Sequence, residues 1–358
     1  MQAIAKECFN KKWIAAQSAK LSPVDPVQLE RSIHAFEILG RLADADVAFV
    51  FKGGTAVLLH LGTLGRLSVD VDIVTRMPAA RLEKTLADIG RRAPFHGWRE
   101  KVRRKGGLPK RRHYYFAYKS VMLGTEDRVI LDVLEEADLH SHISPLAVRM
   151  PFFSPDHRIL VRVPSVECLL GDKLTAFAPH TVGIGYGADT AMQIVKQLFD
   201  IGRLFDAAGK LQDVTDTYGA IFNAENSYRK NRFSIEQALD DTYQTSLTLN
   251  GMGLTKGTDA ETAALLQDGI NKVQSHLVQC RFTLQEAKIA AAKAALLSRI
   301  ILHNRQELKL RDLHFDPANT DYLRTAMIPR PMEYLNKLKG ANNEAFHYWH
   351  MIQTLFGA

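Results

Sequence analysis

The string Val69-Asp-Val-Asp-Ile-Val74 alternates apolar and acidic residues and then ends apolar. A period of two is the signature of a half-buried strand, and it puts Asp70 and Asp72 on one face with Cα atoms roughly 6.5–7 Å apart. Upstream, the apolar run 47–51 reads as a buried strand that stops at Gly53-Gly54-Thr55, after which 56–61 resumes as the first turns of a helix. A longer helix precedes both. Asp25 is its N-cap, Pro26 occupies the first helical position, Gln28 completes a capping-box-like arrangement, and Leu29, Ile33, Phe36 and Gly40 mark one face. Residues 113–118 and 129–134 add two more strands. Strands and helices therefore mix through residue 160, which predicts an α/β (α+β) domain at the N-terminus.

Beyond Pro164 the pattern becomes helical. Ser165 can cap a helix carrying Leu170, Leu174 and Phe177, and the glycine-rich stretch 179–187 separates it from one carrying Met192, Val195 and Phe199. Helical spacing continues over 232–248, 260–280 and 284–304, with Thr258 and Glu261 forming a capping-box signature and 250–257 a loop. The expected division is an α/β domain over 1–162 and a helical domain over 163–358. His347, Trp349 and His350 read as an aromatic tail docked on a helical core. No apolar stretch approaches the ~18 residues of a membrane span. The N-terminus mixes charges of both signs and has no apolar core of a secretory signal. Cys8, Cys168 and Cys280 are too far apart for C-x-x-C spacing. A cytoplasmic protein with no membrane segment is the expectation.

Basic residues exceed acidic ones by 46 − 39 = 7, a balance that permits a polyanionic partner without requiring one. Eight of the fourteen residues over 99–112 are basic: Arg99, Lys101, Arg103, Arg104, Lys105, Lys110, Arg111 and Arg112. Within the run only Glu100 opposes them, and Trp98, His113, Tyr114 and Tyr115 flank it. Either this is a solvated hairpin, or the cations meet phosphates while the aromatics stack on bases.

Two desolvated carboxylates on one strand face repel and call for a cation. A hard divalent ion such as Mg²⁺ answers that need, the more so when substrate phosphates supply its other oxygens. Gly53 and Gly54 let backbone approach a phosphate, and the Thr55 hydroxyl and nearby amides can donate to it. Asp132 lies inside the strand at 129–134, an awkward place for an uncompensated charge. Three carboxylates on two strands that could be neighbours can hold two metals and leave one oxygen free to accept a proton. A solvent-facing Asp-x-Asp pair is the plainer alternative.

Phe51-Lys-Gly-Gly-Thr-Ala followed by Arg66-Leu-Ser-Val-Asp-Val-Asp-Ile-Val resembles the first motif of the AbiEii-type nucleotidyltransferases, the toxins of type IV toxin–antitoxin systems, within the DNA polymerase β-like superfamily. Asp132 matches the third acidic position in kind and order. Glu167-Cys-Leu-Leu-Gly-Asp-Lys173-Leu-Thr-Ala and Lys196-Gln-Leu-Phe-Asp200-Ile are similar to the family's lysine and later aspartate motifs. The resemblance implies a mixed sheet with Asp70, Asp72 and Asp132 at the metal site, loaded with Mg²⁺ or Mn²⁺. It also implies an NTP as nucleotide donor, bound by Gly53, Gly54, Thr55, Ser68, Lys173 and Asp200. An RNA acceptor, the 3′ end of tRNA, is implied, as is a winged-helix AbiEi-type antitoxin encoded nearby. A small molecule, a protein side chain, or a non-catalytic module on the same fold are the alternatives. The chain departs from the family between its last two motifs, where His180 and the 183–187 glycines stand in place of arginines.

Overall fold

The computed structural model describes residues 2–21, 24–62, 65–101, 110–254 and 259–357. It divides into two units, Met1–Ser165 with Ser275–Arg281, and Val166–Gln274 with Phe282–Ala358.

The first unit is built on a five-stranded sheet. Its strands are β1 (Val50–Lys52), β2 (Asp70–Val74), β3 (Phe95–Glu100), β4 (Arg111–Lys119) and β5 (Glu126–Leu134), in the order β1-β2-β5-β4-β3. The sheet is mixed: β2 runs parallel to β5 and the other neighbours are antiparallel. Among the described residues, four α-helices belong to this unit, α1 (Lys11–Lys20), α2 (Pro26–Asp44), α3 (Gly53–Leu61) and α4 (Ala79–Gly90), and a two-stranded ribbon pairs β6 (Ile143–Ala147) with β7 (Leu160–Pro164). One sheet face is core: Val71 and Ile73, Tyr114, Phe116 and Tyr118, and Val129, Leu131 and Val133 are buried. Helix α2 contacts β2 and β5, and α4 contacts β3. Removing such side chains from water contributes roughly 1.5–3 kcal/mol each.

Helix α2 starts as its sequence predicts, with Pro26 in the first turn and the Val27 amide donating to the Asp25 carboxylate at 2.8 Å. Its buried acids hold chain segments in place. Glu30 accepts from Ser120 Oγ (2.6 Å) and the Val121 amide (2.7 Å), which fixes the turn between β4 and β5. Glu37 accepts from the Ile4 amide (2.8 Å) and Arg41 Nε (2.6 Å). Burial raises the Glu37 carboxyl, and Arg41 and the amides of Ile4 and Ala3 oppose that rise.

Strand β1 is shorter than the apolar run 47–51. The Val47 amide closes the end of α2 on the Leu42 carbonyl (3.2 Å), leaving only 50–52 to pair with β2. Helix α3 begins at Gly53 itself, three residues before the point the periodicity suggests.

The second unit is helical: α5 (Val166–Ala176), α6 (Ala191–Ala207), α7 (Leu211–Tyr228), α8 (Ile235–Gly251), α9 (Ala260–Val273), α10 (Leu284–Leu302) and α11 (Asn343–Phe356). Helix α10 contacts α6, α8 and α11, and its buried alanines (Ala287, Ala291, Ala294 and Ala295 among them) let those neighbours approach closely. Capping boxes start α8 (Ser234 with Gln237) and α10 (Thr283 with Glu286). Thr258 lies outside the described residues, and Asp259 caps α9 by accepting from the Glu261 and Thr262 amides. Helix α9 ends at Val273, short of residue 280, because 275–281 packs with the first unit: the Leu67 amide donates to the His276 carbonyl (2.7 Å) and the Val278 amide to the Gly65 carbonyl (3.0 Å). The C-terminal aromatics dock as expected, with Trp349 buried edge-on to Tyr243. Among the described residues no helix is long and apolar enough to cross a membrane.

His34 on α2 stacks on Tyr118 at 3.6 Å between ring centroids and donates from Nδ1 to the Glu30 carbonyl. Burial pushes its pKa down from 6.5 to about 4, outweighing the raising effects of that carbonyl and of Asp127. The unfolded chain therefore takes up this proton first. The neutral ring's contribution is complete above pH 6.5 and is lost as pH falls to about 4, a change on the order of 3 kcal/mol. Urea unfolding across that window should give a flatter acid limb for His34→Phe than for the native protein.

Candidate active site

The β2–β5 register sets Asp72 directly beside Asp132 and Asp70 beside Ile130. Because Val71, Ile73, Leu131 and Val133 fill the core, the three carboxylates share the opposite face, each half-buried. The next strand adds a residue that in the sequence only flanks the basic run. His113 on β4 is in register with Asp132, and its Nδ1 meets Asp132 Oδ1. Its Nε2 is buried without a hydrogen-bond partner. Alternation along β4, with Tyr114, Phe116 and Tyr118 in the core, was the signal that His113 shares the aspartates' face.

Among the described residues, no group of three or more His, Cys, Asp or Glu side chains is arranged to hold a metal ion. Asp132 is instead engaged by His113. The Asp70–Asp72 pair still suits magnesium, which commonly takes one or two protein carboxylates and completes its shell with water and substrate phosphates. The surroundings leave room for that carboxylate chemistry. A Cβ at Gly53 would lie 2.0 Å from Asp72 Oδ2, so only glycine leaves this oxygen its place.

Gly53 has φ +79°, a left-handed conformation that favours glycine, and it opens α3 beside Asp72. A Cβ at Gly54 would meet the Arg66 guanidinium at 2.4 Å, so Arg66, largely buried, lies against this first helical turn. Thr55 behaves differently from its sequence expectation. It is fully buried and its hydroxyl donates to the Asp70 carbonyl at 2.7 Å, so it ties α3 to β2 and its proton is committed. The Ser68 carbonyl accepts from Ser32 Oγ at 2.9 Å, which holds the approach to β2 against α2.

The basic run is divided. Residues 102–109, with Arg103, Arg104 and Lys105, lie outside the described residues. Arg112 is bound by three carboxylates, Glu83 of α4 (2.7 Å), Glu100 of β3 (3.5 Å) and Glu135 just past β5 (2.7 Å). Two of these acids lie outside the run, where the local sequence did not connect them to it.

In the second unit, α5 and α6 join two motifs that are separate in sequence. Lys173 Nζ lies 3.4 Å from Asp200 Oδ2 and donates to Gln197 Oε1 at 2.9 Å. Both partners are buried, Lys173 at 7% exposure and Asp200 at 2%, so Lys173 is not a solvated surface lysine. The His180 amide donates to Asp241 Oδ2 (2.7 Å) and Thr181 Oγ1 to the same oxygen (2.8 Å), which anchors the glycine-rich segment to α8.

Comparison with known proteins identifies the family and the fold. The family described as "Nucleotidyl transferase AbiEii toxin, Type IV TA system" matches residues 37–313. Among solved structures, the chain is similar to MenT4, a nucleotidyltransferase toxin of Mycobacterium tuberculosis, with TM-score 0.53 and 11% identity over 94% of this chain and 97% of that one. That likeness is one of fold. JHP933 from Helicobacter pylori aligns with TM-score 0.41 and 15% identity, over 78% of this chain and 94% of that one. No curated protein matches the chain.

Two substitutions test the geometry through stability. Gly53→Ala should destabilise the protein by about 1–3 kcal/mol, because alanine strains the left-handed backbone and collides with Asp72. Lys173→Ala should cost roughly 1–3 kcal/mol by removing the buried ammonium from Asp200 and Gln197. Denaturant titration reads both, and wild-type stability in either variant would contradict the corresponding contact.

Proposed function

The chain belongs to the AbiEii family of nucleotidyl transferase toxins, and from that premise we propose that it transfers a nucleoside monophosphate from an NTP to the 3′ end of tRNA, arresting growth by blocking aminoacylation. The observation that carries this reading is the register that aligns Asp70, Asp72 and Asp132 on one sheet face, beside the glycine start of α3. A non-catalytic module has no need of such convergence. MenT4, which shares the fold, is itself described as a nucleotidyltransferase toxin. A winged-helix antitoxin encoded beside the toxin is the proposed protein partner.

Asp70 and Asp72 would hold a divalent cation, Mg²⁺ or Mn²⁺, which when bound supplies Lewis acidity at the NTP phosphates. The remaining steps fall to the chain's own groups. Gly53 and Gly54 carry no side chains of their own, and Asp72 and the Arg66 guanidinium fill the space beside them, which sets an acid and a cation next to the backbone assigned to the phosphates. Asp132 accepts the acceptor hydroxyl's proton on Oδ2, since His113 occupies Oδ1 and fixes the carboxyl plane. Lys173, by its place in the family's lysine motif, is assigned to the triphosphate, with Asp200 orienting its ammonium. Thr55 is assigned to support of the site, because its hydroxyl is already donated.

The Asp70→Asn/Asp72→Asn double variant should lose transfer completely while melting near the wild type, since it removes charge at nearly constant volume from half-exposed positions. Asp132→Asn should retain NTP binding and turn over about 10²–10⁴-fold more slowly. Pyrophosphate release with total tRNA as acceptor measures all three carboxylates. Transfer that survives in the double variant excludes this chemistry.

A further inference from the structure

The face that carries Asp70 continues into a cavity of ≈ 700 Å³ whose wall includes Asp70, Ile130, Tyr115, Arg99 and Arg128. Strand register explains the order. Asp70 pairs with Ile130, Ile130 with Tyr115, and Tyr115 with Arg99, so these residues form one row across four strands. Two strand spacings, about 10 Å, separate Asp70 from Tyr115.

Tyr115 gathers three cations. Arg128 Cζ lies 4.7 Å from its ring centroid, Arg99 Cζ 5.7 Å and Lys101 Nζ 5.8 Å. Among the described residues none of the three forms an ion pair with a carboxylate. By contrast, Arg112 is engaged by Glu83, Glu100 and Glu135, and Arg31 at the cavity edge by Asp127. Burial alone would raise the Asp127 carboxyl, yet the Arg31 hydrogen bonds hold it below its ordinary value, so that acid is committed to Arg31. The segment 102–109 cannot neutralise the cluster by composition, because Val-Arg-Arg-Lys-Gly-Gly-Leu-Pro contains no acid. Glu126 also lines the cavity but forms no ion pair with them, and three like charges kept over one ring without a paired carboxylate favour a ligand that brings negative charge.

We propose that Arg99, Lys101 and Arg128, collected by Tyr115, form the acceptor subsite for the phosphodiester backbone of a single-stranded RNA end, delivering its terminal hydroxyl along the row toward Asp70. This rests on the nucleotidyltransferase reading and adds to it which residues select a polyanionic acceptor. It moves the RNA contact away from the basic run as a whole. Arg128 lies outside that run and takes part, whereas Arg112 lies inside it and is structural. A small-molecule acceptor would have no use for three unneutralised cations spread beside the carboxylates.

Arg99 and Arg128 are both exposed, so Gln at either position leaves the core intact. Binding of the full chain to total tRNA, titrated at several salt concentrations, should show the slope of log K against log[salt] falling by about 0.7–0.9 for Arg99→Gln or Arg128→Gln alone, and by about twice that for the pair. The KM for tRNA in the transfer assay should rise, with NTP binding unchanged. Arg112→Gln should leave the slope as it is. The subsite is overturned if the Arg99→Gln/Arg128→Gln slope equals the wild type's, or if the slope falls while the tRNA KM does not move. Either result with transfer still dependent on Asp70 and Asp72 leaves the nucleotidyltransferase reading standing and favours a small-molecule or protein acceptor. Cation-dependent tRNA binding by a protein that transfers no nucleotide would instead keep the RNA site and remove the reaction.

Discussion

Pairing of β2 with β5 in parallel register is the constraint from which the acidic face follows. Val71, Ile73, Leu131 and Val133 are driven into the core, and alternation then has no choice but to present Asp70, Asp72 and Asp132 on the other side. A slip of one residue would bury the acids and expose the aliphatics, exchanging roughly 1.5–3 kcal/mol of burial per side chain for desolvated charge. The like-charged row is thus fixed by hydrophobic burial on its back.

Short polar contacts refine that placement. The Thr55 hydroxyl ties α3 to the first residue of β2, Ser32 holds Ser68 just upstream, and Arg66 backs the Gly54 turn. Segment 275–281 closes over 65–67 with hydrogen bonds from the Leu67 and Val278 amides. A stretch that the sequence places amid the helices therefore braces the approach to the carboxylates. His113 does the same for Asp132 from the neighbouring strand.

Local patterns were legible wherever chemistry and periodicity coincide. Asp25-Pro26 starts α2, the alternating 69–74 string is β2, and the motifs around Gly53 and Asp70 carry the family resemblance. What escaped reading depends on partners distant in sequence. Nothing near His113 announces Asp132, nothing near Lys173 announces burial against Asp200, and nothing near Arg112 announces Glu83 and Glu135. Thr55 looked like a phosphate donor because its local motif ignores the Asp70 carbonyl that it meets in the fold. Strand β3 was hidden between Pro94 and the basic run, and β6 carries Pro145, a residue tolerated where a strand's amide is not needed by the ladder. Helix α7 was readable in principle, since Leu211, Val214, Tyr218, Ile221 and Phe222 follow helical spacing.

The central claim is that the aspartate face moves a nucleotidyl group and not a phosphoryl group. Parallel reactions with NTPs labelled at the α- or the γ-phosphate, in the presence of Mg²⁺ and total tRNA, decide this directly. Label from the α position should enter the RNA as a 3′-terminal nucleotide, and label from the γ position should leave entirely as pyrophosphate. Appearance of the γ label on RNA, or failure of all four NTPs to donate the α label to RNA, protein or small-molecule acceptors, would contradict the account.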